Sequence, residues 1–180
     1  MATWIALLRG INVGGKNVLP MAALRLELEE IGLKNVRTYI QSGNVIFESS
    51  VRSGNQLADS IAECIEAQHG FRPPVFVLTR KQLEDSVAKN PFPDAAAEPK
   101  SLQFFFLERT PKAPDKPAIA AIAAKSESWH LAKSVFYLHA PDGLGRSKLG
   151  AKAEKLLAVN TTARNLRTVE KLLDLSRPTS

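Results

Sequence analysis

The sequence predicts an α+β protein of two subdomains, the first ferredoxin-like and the second a related but incomplete α+β unit. Residues 1–79 follow the order strand, helix, strand, strand, helix, strand, which is the split βαβ unit that forms an antiparallel sheet with its helices on one face. A connecting helix and a linker, interrupted by prolines, follow at residues 80–100. The same order then begins again at residues 101–180, with basic C-terminal helices but no visible final strand.

The elements of the first subdomain follow from their apolar patterns and their boundary residues. Residues 3–9 are almost continuously apolar, which suits a central strand. Pro20 opens a helix with apolar residues at helical intervals, and Gly32 ends it. Only Ser42 and Gly43 separate the next two strands, so those strands pair as a hairpin. The later strands are predicted at residues 36–41, 44–48 and 75–78, and the second helix begins at a capping box over residues 53–56.

The second half has weaker boundaries. A capping box at Thr79–Gln82 starts a helix that ends near Lys89. The three phenylalanines of residues 104–106 indicate a buried strand rather than a base-stacking surface. The predicted strands cover residues 102–107, 127–132 and 134–139, and the predicted helices cover residues 118–124, 149–157 and 166–175.

Composition limits the possible classes of protein. A single cysteine, Cys64, excludes an internal disulfide and is interpreted as a small apolar helix residue. The three histidines lie far apart, so we expect no metal site and no cofactor. With no apolar run of membrane-spanning length and no signal peptide, we expect a cytoplasmic protein without a membrane partner. The net charge of +6 is concentrated after residue 142, where basic residues outnumber acidic ones.

The first candidate site is the glycine-rich stretch after the first strand. Gly10 and Gly15-Lys16 have the spacing of a phosphate-binding P-loop, but Asn17 replaces the required Ser or Thr, and no helix follows at once. A nucleotide hydrolase is therefore not expected. A weaker anion site remains open, and so does a tight turn with a solvated lysine. The candidate anion-binding residues here are Arg9, Asn12, Gly14, Gly15 and Lys16.

A second polar motif occupies the turn between the second and third strands. Its side chains suit either a well-made turn or a polar rim of a site, and they are Tyr39, Gln41, Ser42 and Asn44. We expect this turn and the exit of the first strand to lie at opposite ends of the central strand pair. Topology alone therefore does not place the two motifs in one pocket.

The third motif is basic and begins near residue 145. Arg146 and Lys148 flank Ser147, a candidate helix N-cap, and basic charge at a helix start opposes the macrodipole. A bound anion would relieve this conflict, whereas a simple cap would not. Lys148, Lys152 and Lys155 continue along one helix face, and a second face is predicted from Arg164, Arg167 and Lys171, with Asn165 at its entry.

These motifs resemble a bacterial family of conserved hypothetical proteins, classed as a domain of unknown function. The resemblance rests on residues 7–16 (LLRGINVGGK), 36–45 (VRTYIQSGNV), 145–149 (GRSKL) and 162–165 (TARN). It implies a pair of α+β subdomains, the first ferredoxin-like, and it implies no activity. The chain departs from the family at Leu166-Arg167, where Trp-Asn is often found.

Three functions remain open from the sequence. The basic helices could bind nucleic acid through its phosphates. Alternatively, a cleft shared by Arg9, Lys16, Arg146 and Lys148 could bind, or act upon, a phosphorylated small molecule. The third possibility is an interaction module in which the polar motifs are only turns and caps. Whether the protein is an enzyme and whether it forms oligomers are also open.

Overall fold

The computed structural model describes residues 1–177 and divides the chain into two compact units. Unit 1 comprises Met1–Glu84 together with the segment that begins at Lys171, and unit 2 comprises Asp85–Glu170. The C-terminal segment is tied to unit 1 by Arg80, whose guanidinium donates to the carbonyl oxygen of Leu173 at 2.8 Å. The chain therefore returns to the unit in which it starts.

Unit 1 is the predicted ferredoxin-like sheet. Its four strands are all antiparallel and lie in the order β2-β3-β1-β4. The prediction of this architecture is confirmed, and the predicted boundaries shift by one or two residues. The elements are β1 (Ala2–Leu8), α1 (Met21–Glu30), β2 (Lys34–Tyr39), β3 (Asn44–Ser49), α2 (Gly54–His69) and β4 (Val75–Thr79).

The core of unit 1 follows from the alternation of side chains along β1. Trp4, Ala6 and Leu8 face the helices and pack with residues of α1 and α2 such as Leu24 and Ile61. The intervening residues of β1 are also fully buried. A strand that is buried on both faces has a near-continuous apolar sequence, which explains why β1 could be recognised so clearly.

Unit 2 repeats the topology of unit 1 in full. Its strand order, β6-β7-β5-β8, is the counterpart of the order in unit 1, and its strands are antiparallel. The expectation of an incomplete second unit is wrong because β8 supplies the missing strand. After the helix α3 (Arg80–Ala88), the elements are β5 (Leu102–Leu107), α4 (Lys116–Ile122), β6 (Ser128–Leu131), β7 (Val135–His139), α5 (Lys148–Leu157), β8 (Thr161–Asn165) and α6 (Leu166–Leu175).

The strand β8 is not recognisable from the sequence because it is short and polar. Its sequence, TTARN, has no apolar alternation, and it pairs only with β5, at the edge of the sheet. The pairing runs from Gln103 opposite Asn165 to Leu107 opposite Thr161. Backbone hydrogen bonds to an apolar neighbour, rather than the strand's own side chains, therefore account for its formation.

Matching backbone hydrogen bonds close the same end of both sheets. In unit 1, the amide of Leu8 donates to Gly43 O at 2.8 Å, and the next amide, of Arg9, donates to Pro74 O at 3.0 Å. In unit 2, the amide of Leu107 donates to Ser134 O at 3.0 Å, and the next amide, of Glu108, donates to Asn160 O at 3.0 Å. The repeat therefore extends from the order of the elements to individual peptide groups.

Cys64 lies on α2, where it is half-buried against the core of unit 1. Burial raises the pKa of its thiol, and the carboxylates of Glu27 and Glu30 raise this pKa further. Because the thiolate is the reactive form, we expect the folded protein to react with an aromatic disulfide reagent at pH 8 about tenfold more slowly than the urea-unfolded protein. The release of the coloured thiol measures both rates, and equal rates would contradict the burial of this group.

Candidate functional site

The glycine-rich motif forms a small hairpin between β1 and α1. Gly14 and Gly15 are its two central residues and have φ angles of 58° and 72°. The amide of Lys16 donates to Val13 O at 3.0 Å and closes the turn. Positive φ at both central positions is the requirement of a type I′ turn, so the glycines have a clear conformational role here. The side chain of Lys16 is exposed and forms no ion pair within residues 1–177.

Asn12 anchors this hairpin to the rest of the unit. Its side-chain amide donates to Leu19 O and to Gln41 O, both at 2.9 Å, and its side-chain oxygen accepts from the amide of Leu19 at 2.8 Å. Asn17 makes one such bond, to Gly10 O at 3.0 Å. The side chains of Asn12 and Asn17 therefore stabilise the conformation of this loop, whereas the charged side chain of Lys16 is exposed to solvent.

The glycine-rich loop and the β2–β3 turn lie at the same end of the sheet. The expectation that they lie at opposite ends is wrong, since β1 and β3 are antiparallel and Leu7 pairs with Asn44. In an antiparallel pair, the end of one strand lies beside the start of the other. The bond from Asn12 to Gln41 then joins the two motifs directly.

The β2–β3 turn is stabilised by its own side chains. The side-chain amide of Asn44 donates to Tyr39 O at 3.1 Å and to the hydroxyl of Ser42 at 2.9 Å. Ile40 has a φ of 50°, which is unusual for a β-branched residue, and its side chain is exposed. With the exposed Val13 and Val18 of the neighbouring loop, it gives this end of unit 1 an apolar character that the sequence motifs did not indicate.

The basic motif near residue 145 places two cations at the start of α5. Ser147 is buried, and its hydroxyl accepts from the amide of Gly150 at 2.8 Å, so the predicted N-cap is present. Arg146 and Lys148 on either side of it are exposed, and the first turn contains no acidic residue. The charges at this helix start are therefore opposed to the macrodipole, as the sequence indicated.

The charged residues on the exposed face of α5 are all lysines. Leu149, Ala153 and Leu157 point into the core of unit 2, whereas Lys148, Lys152 and Lys155 are exposed. The acidic residue of this helix, Glu154, accepts a hydrogen bond from the amide of Thr161 at 2.9 Å. Within residues 1–177, Arg146 and the three lysines form no side-chain hydrogen bond or ion pair.

The second predicted basic face is smaller than expected. Arg164 lies on β8 rather than on a helix, and it donates to the hydroxyl of Thr162 at 3.0 Å and to Ala163 O at 2.8 Å. Burial lowers the pKa of Arg164 to about 10, so the guanidinium still carries its charge at neutral pH. The side chain of Asn165 accepts from the amide of Thr168 at 2.9 Å and caps α6. Only the other two members of the predicted face, Arg167 and Lys171, belong to the helix α6.

The remaining predicted groups are distributed over both units. Arg9 and Lys16 belong to unit 1, and Arg146 and Lys148 belong to unit 2, so a cleft shared by all four stays a prediction. Within the described residues, no cluster of three or more His, Cys, Asp or Glu side chains is suited to a metal ion. His69 instead pairs with the carboxylate of Glu27 at 3.0 Å. None of the helices in the described part of the chain has the length and apolar character needed to span a membrane.

Comparisons with known proteins agree with this architecture. The conserved bacterial protein SP0830 from Streptococcus pneumoniae has a similar structure, with a TM-score of 0.67 and 26% sequence identity over 97% of this chain and 98% of that chain. The search of curated proteins gives no match. Residues 1–137 match a family described as a protein of unknown function, DUF1697. Because this match covers most of the sequence, the chain belongs to the DUF1697 family.

Proposed function

We propose that this protein binds nucleic acid through a basic face that comprises Lys148, Lys152 and Lys155 of α5 together with Arg146, which lies just before the start of this helix. The observation that supports this proposal is that four neighbouring exposed cations have no acidic partner within residues 1–177. Cations three and four residues apart on a helix repel one another, so the isolated fold gains nothing from collecting them. A polyanion removes this repulsion and gains the interaction with the field at the helix start.

The spacing of the lysines suits a phosphate backbone. At a rise of about 1.5 Å per residue, Lys148 and Lys155 are separated by roughly 10 Å along the helix axis. A nucleic acid strand carries one phosphate per about 3.4 Å of duplex axis, so the face spans about three phosphate spacings and can reach about four phosphates. The face consists of lysine and arginine without an exposed aromatic side chain on α5, and the binding we propose is therefore independent of base sequence.

The test is the binding of fluorescently labelled duplex and single-stranded DNA and RNA, followed by anisotropy at several salt concentrations. For four phosphate contacts, the slope of log affinity against log salt is expected to be about −3.6 for duplex and about −2.8 for single strands. The triple variant with Lys148→Gln, Lys152→Gln and Lys155→Gln is expected to lose at least about tenfold in affinity and most of this slope.

A matched triple variant controls for net charge. Lys34, Lys89 and Lys133 are exposed lysines outside α5, and their replacement by Gln removes the same number of charges. We expect this control to bind almost like the wild type. The proposal fails if the wild type does not bind at about 50 mM salt, or if the two triple variants are equally weakened.

A further inference from the structure

The helices α4 and α5 form one outer layer of unit 2. They pack against each other and cover the same face of its sheet. The start of α4 lies beside the end of α5, because the amide of Asp115 donates to Leu156 O at 2.8 Å. At the other end, the hydroxyl of Ser126, just after α4, donates to the carboxylate of Asp142, in the segment that leads to α5, at 2.6 Å. The two helices are therefore antiparallel neighbours.

The lysines of α5 are turned towards α4. With about 100° of rotation per residue, Glu154 lies about 100° to one side of the core-facing stripe of α5, and Lys152 lies about 100° to the other side. Glu154 faces β8, since its side chain accepts from the amide of Thr161 at the start of that strand. The strand β8 is one edge of the sheet, and α4 leads into β6 at the opposite edge. Lys152 therefore lies on the flank of α5 that faces α4, with Lys148 and Lys155 between it and the outermost line of the helix.

A second group of exposed cations lies at the two ends of α4. Lys112 and Lys116 are at its start, beside the end of α5, and Lys125 follows its end, next to the residue that bonds to the segment before α5. Within residues 1–177, these three residues, which we name the α4 lysines, form no side-chain hydrogen bond or ion pair. The basic face of α5 is therefore extended across the helix layer.

The surface of α4 itself is low and carries no negative charge. Its exposed residues between Lys116 and Lys125 are three alanines and one proline, and the helix contains no acidic residue. The carboxylates at its two ends cap backbone amides, with Asp115 accepting from the amide of Ala118 at 3.0 Å and Glu127 accepting from the amide of residue 124 at 2.8 Å. A large polyanion can therefore approach the α4 lysines and the α5 face together.

The corresponding helix layer of unit 1 has the opposite charge. The helix α2 exposes Asp59, Glu63 and Glu66, whose carboxylates lie 3.1–3.8 Å from the guanidinium of Arg72. The helix α1 adds two exposed glutamates near its end. The same topology therefore forms with an acidic helix layer, so the basic layer of unit 2 is not a requirement of the fold.

We propose, building on the nucleic acid binding proposed above, that the preferred partner is a duplex whose two backbones are held by the α5 face and by the α4 lysines. The axes of packed helices lie about 8–10 Å apart. This distance falls between the widths of the minor and major grooves, about 6 Å and about 12 Å, and flexible lysine side chains span the difference. One backbone then contacts each helix. A single strand presents one line of phosphates, for which the α5 face alone is sufficient.

The experiment compares a short duplex with its separate strands, labelled at one end, by fluorescence anisotropy at several salt concentrations. With three contacts added by the α4 lysines, the slope of log affinity against log salt is expected to be about −6 for the duplex and to stay near −2.8 for a single strand. The triple variant Lys112→Gln, Lys116→Gln and Lys125→Gln is expected to bind the duplex at least about tenfold more weakly, with a slope of about −3.6. Its affinity for a single strand is expected to change by less than about twofold.

The control variant with Lys34, Lys89 and Lys133 replaced by Gln is expected to bind the duplex and the strands like the wild type. Normal single-strand binding by the α4 variant shows that it is folded. The duplex preference is contradicted if the α4 variant weakens both partners equally or neither, or if the wild-type duplex slope is no steeper than about −3.6. In those cases a weakened α5 variant still supports the proposed function, whereas a wild type that binds neither partner contradicts both proposals. DNA and RNA duplexes are both titrated, because paired backbones are common to the two.

Discussion

Replacing Gly43 by alanine is expected to lower the free energy of unfolding by about 2–5 kcal/mol. Gly43 has a φ of 76°, and a Cβ at this position would lie 2.7 Å from Leu8 Cβ and 2.8 Å from Ile11 Cδ1. The variant therefore combines a left-handed backbone, which costs about 1–2 kcal/mol for alanine, with a clash that costs about 1–3 kcal/mol. The clash involves the side chains of a core strand and its exit, which have little room to move.

Gly14→Ala provides the matched control for this experiment. Gly14 also has a positive φ, of 58°, but nothing lies within 4 Å of the position that its Cβ would take. We expect this variant to lose only the backbone contribution of about 1–2 kcal/mol. Urea unfolding measures both variants, with an unchanged slope as the sign that only stability has changed. Equal losses in the two variants would show that the β2–β3 turn is not packed against β1 as described.

Replacing Asn12 by alanine is expected to cost about 2–4 kcal/mol of stability. Its side chain makes three hydrogen bonds, two to Leu19 and one to Gln41, and alanine leaves all of their backbone partners unpaired. Asn12→Asp retains an acceptor for the amide of Leu19 but directs a carboxylate towards two carbonyl oxygens. We therefore expect the aspartate variant to be destabilised as well.

Asn17→Ala separates the hydrogen bonds of Asn12 from the strain of its backbone conformation. Asn12 and Asn17 have φ angles of 54° and 49°, so alanine is strained to a similar extent at both positions. Asn17, however, makes only one side-chain bond, to Gly10 O, at an exposed site. Urea unfolding of both variants measures the difference, which we expect to be at least about 1 kcal/mol. If Asn17→Ala were the more damaging variant, Asn12 would not be the anchor of this loop.

The sequence predicts those features that apolar periodicity controls. The run that ends at Leu8 and the regular spacing of apolar residues in α1 and α2 identify the ferredoxin-like unit, because burial requires those patterns. The lysines at 148, 152 and 155 are likewise predictable, since their spacing puts them on one side of any helix. Local rules of this kind need no knowledge of neighbouring strands.

The features that the sequence does not predict depend on partners that are distant along the chain. The strand β8 forms because the backbone groups of β5 pair with it. Its own residues lack the apolar alternation by which a strand is recognised in a sequence. The joining of the two turns through Asn12 becomes visible only once β1 and β3 are paired. Trp4 is an ordinary core residue by its sequence pattern, because only the folded structure shows that its N–H lacks an acceptor.

The matching bonds that close both sheets make Gly43 and Ser134 counterparts, yet only Gly43 adopts a positive φ. At Gly43 the left-handed backbone and the close approach of Leu8 leave no room for a Cβ, whereas Ser134 carries a side chain at the equivalent corner without a left-handed backbone. The repeated topology therefore does not make the two corners interchangeable in the residues that they tolerate.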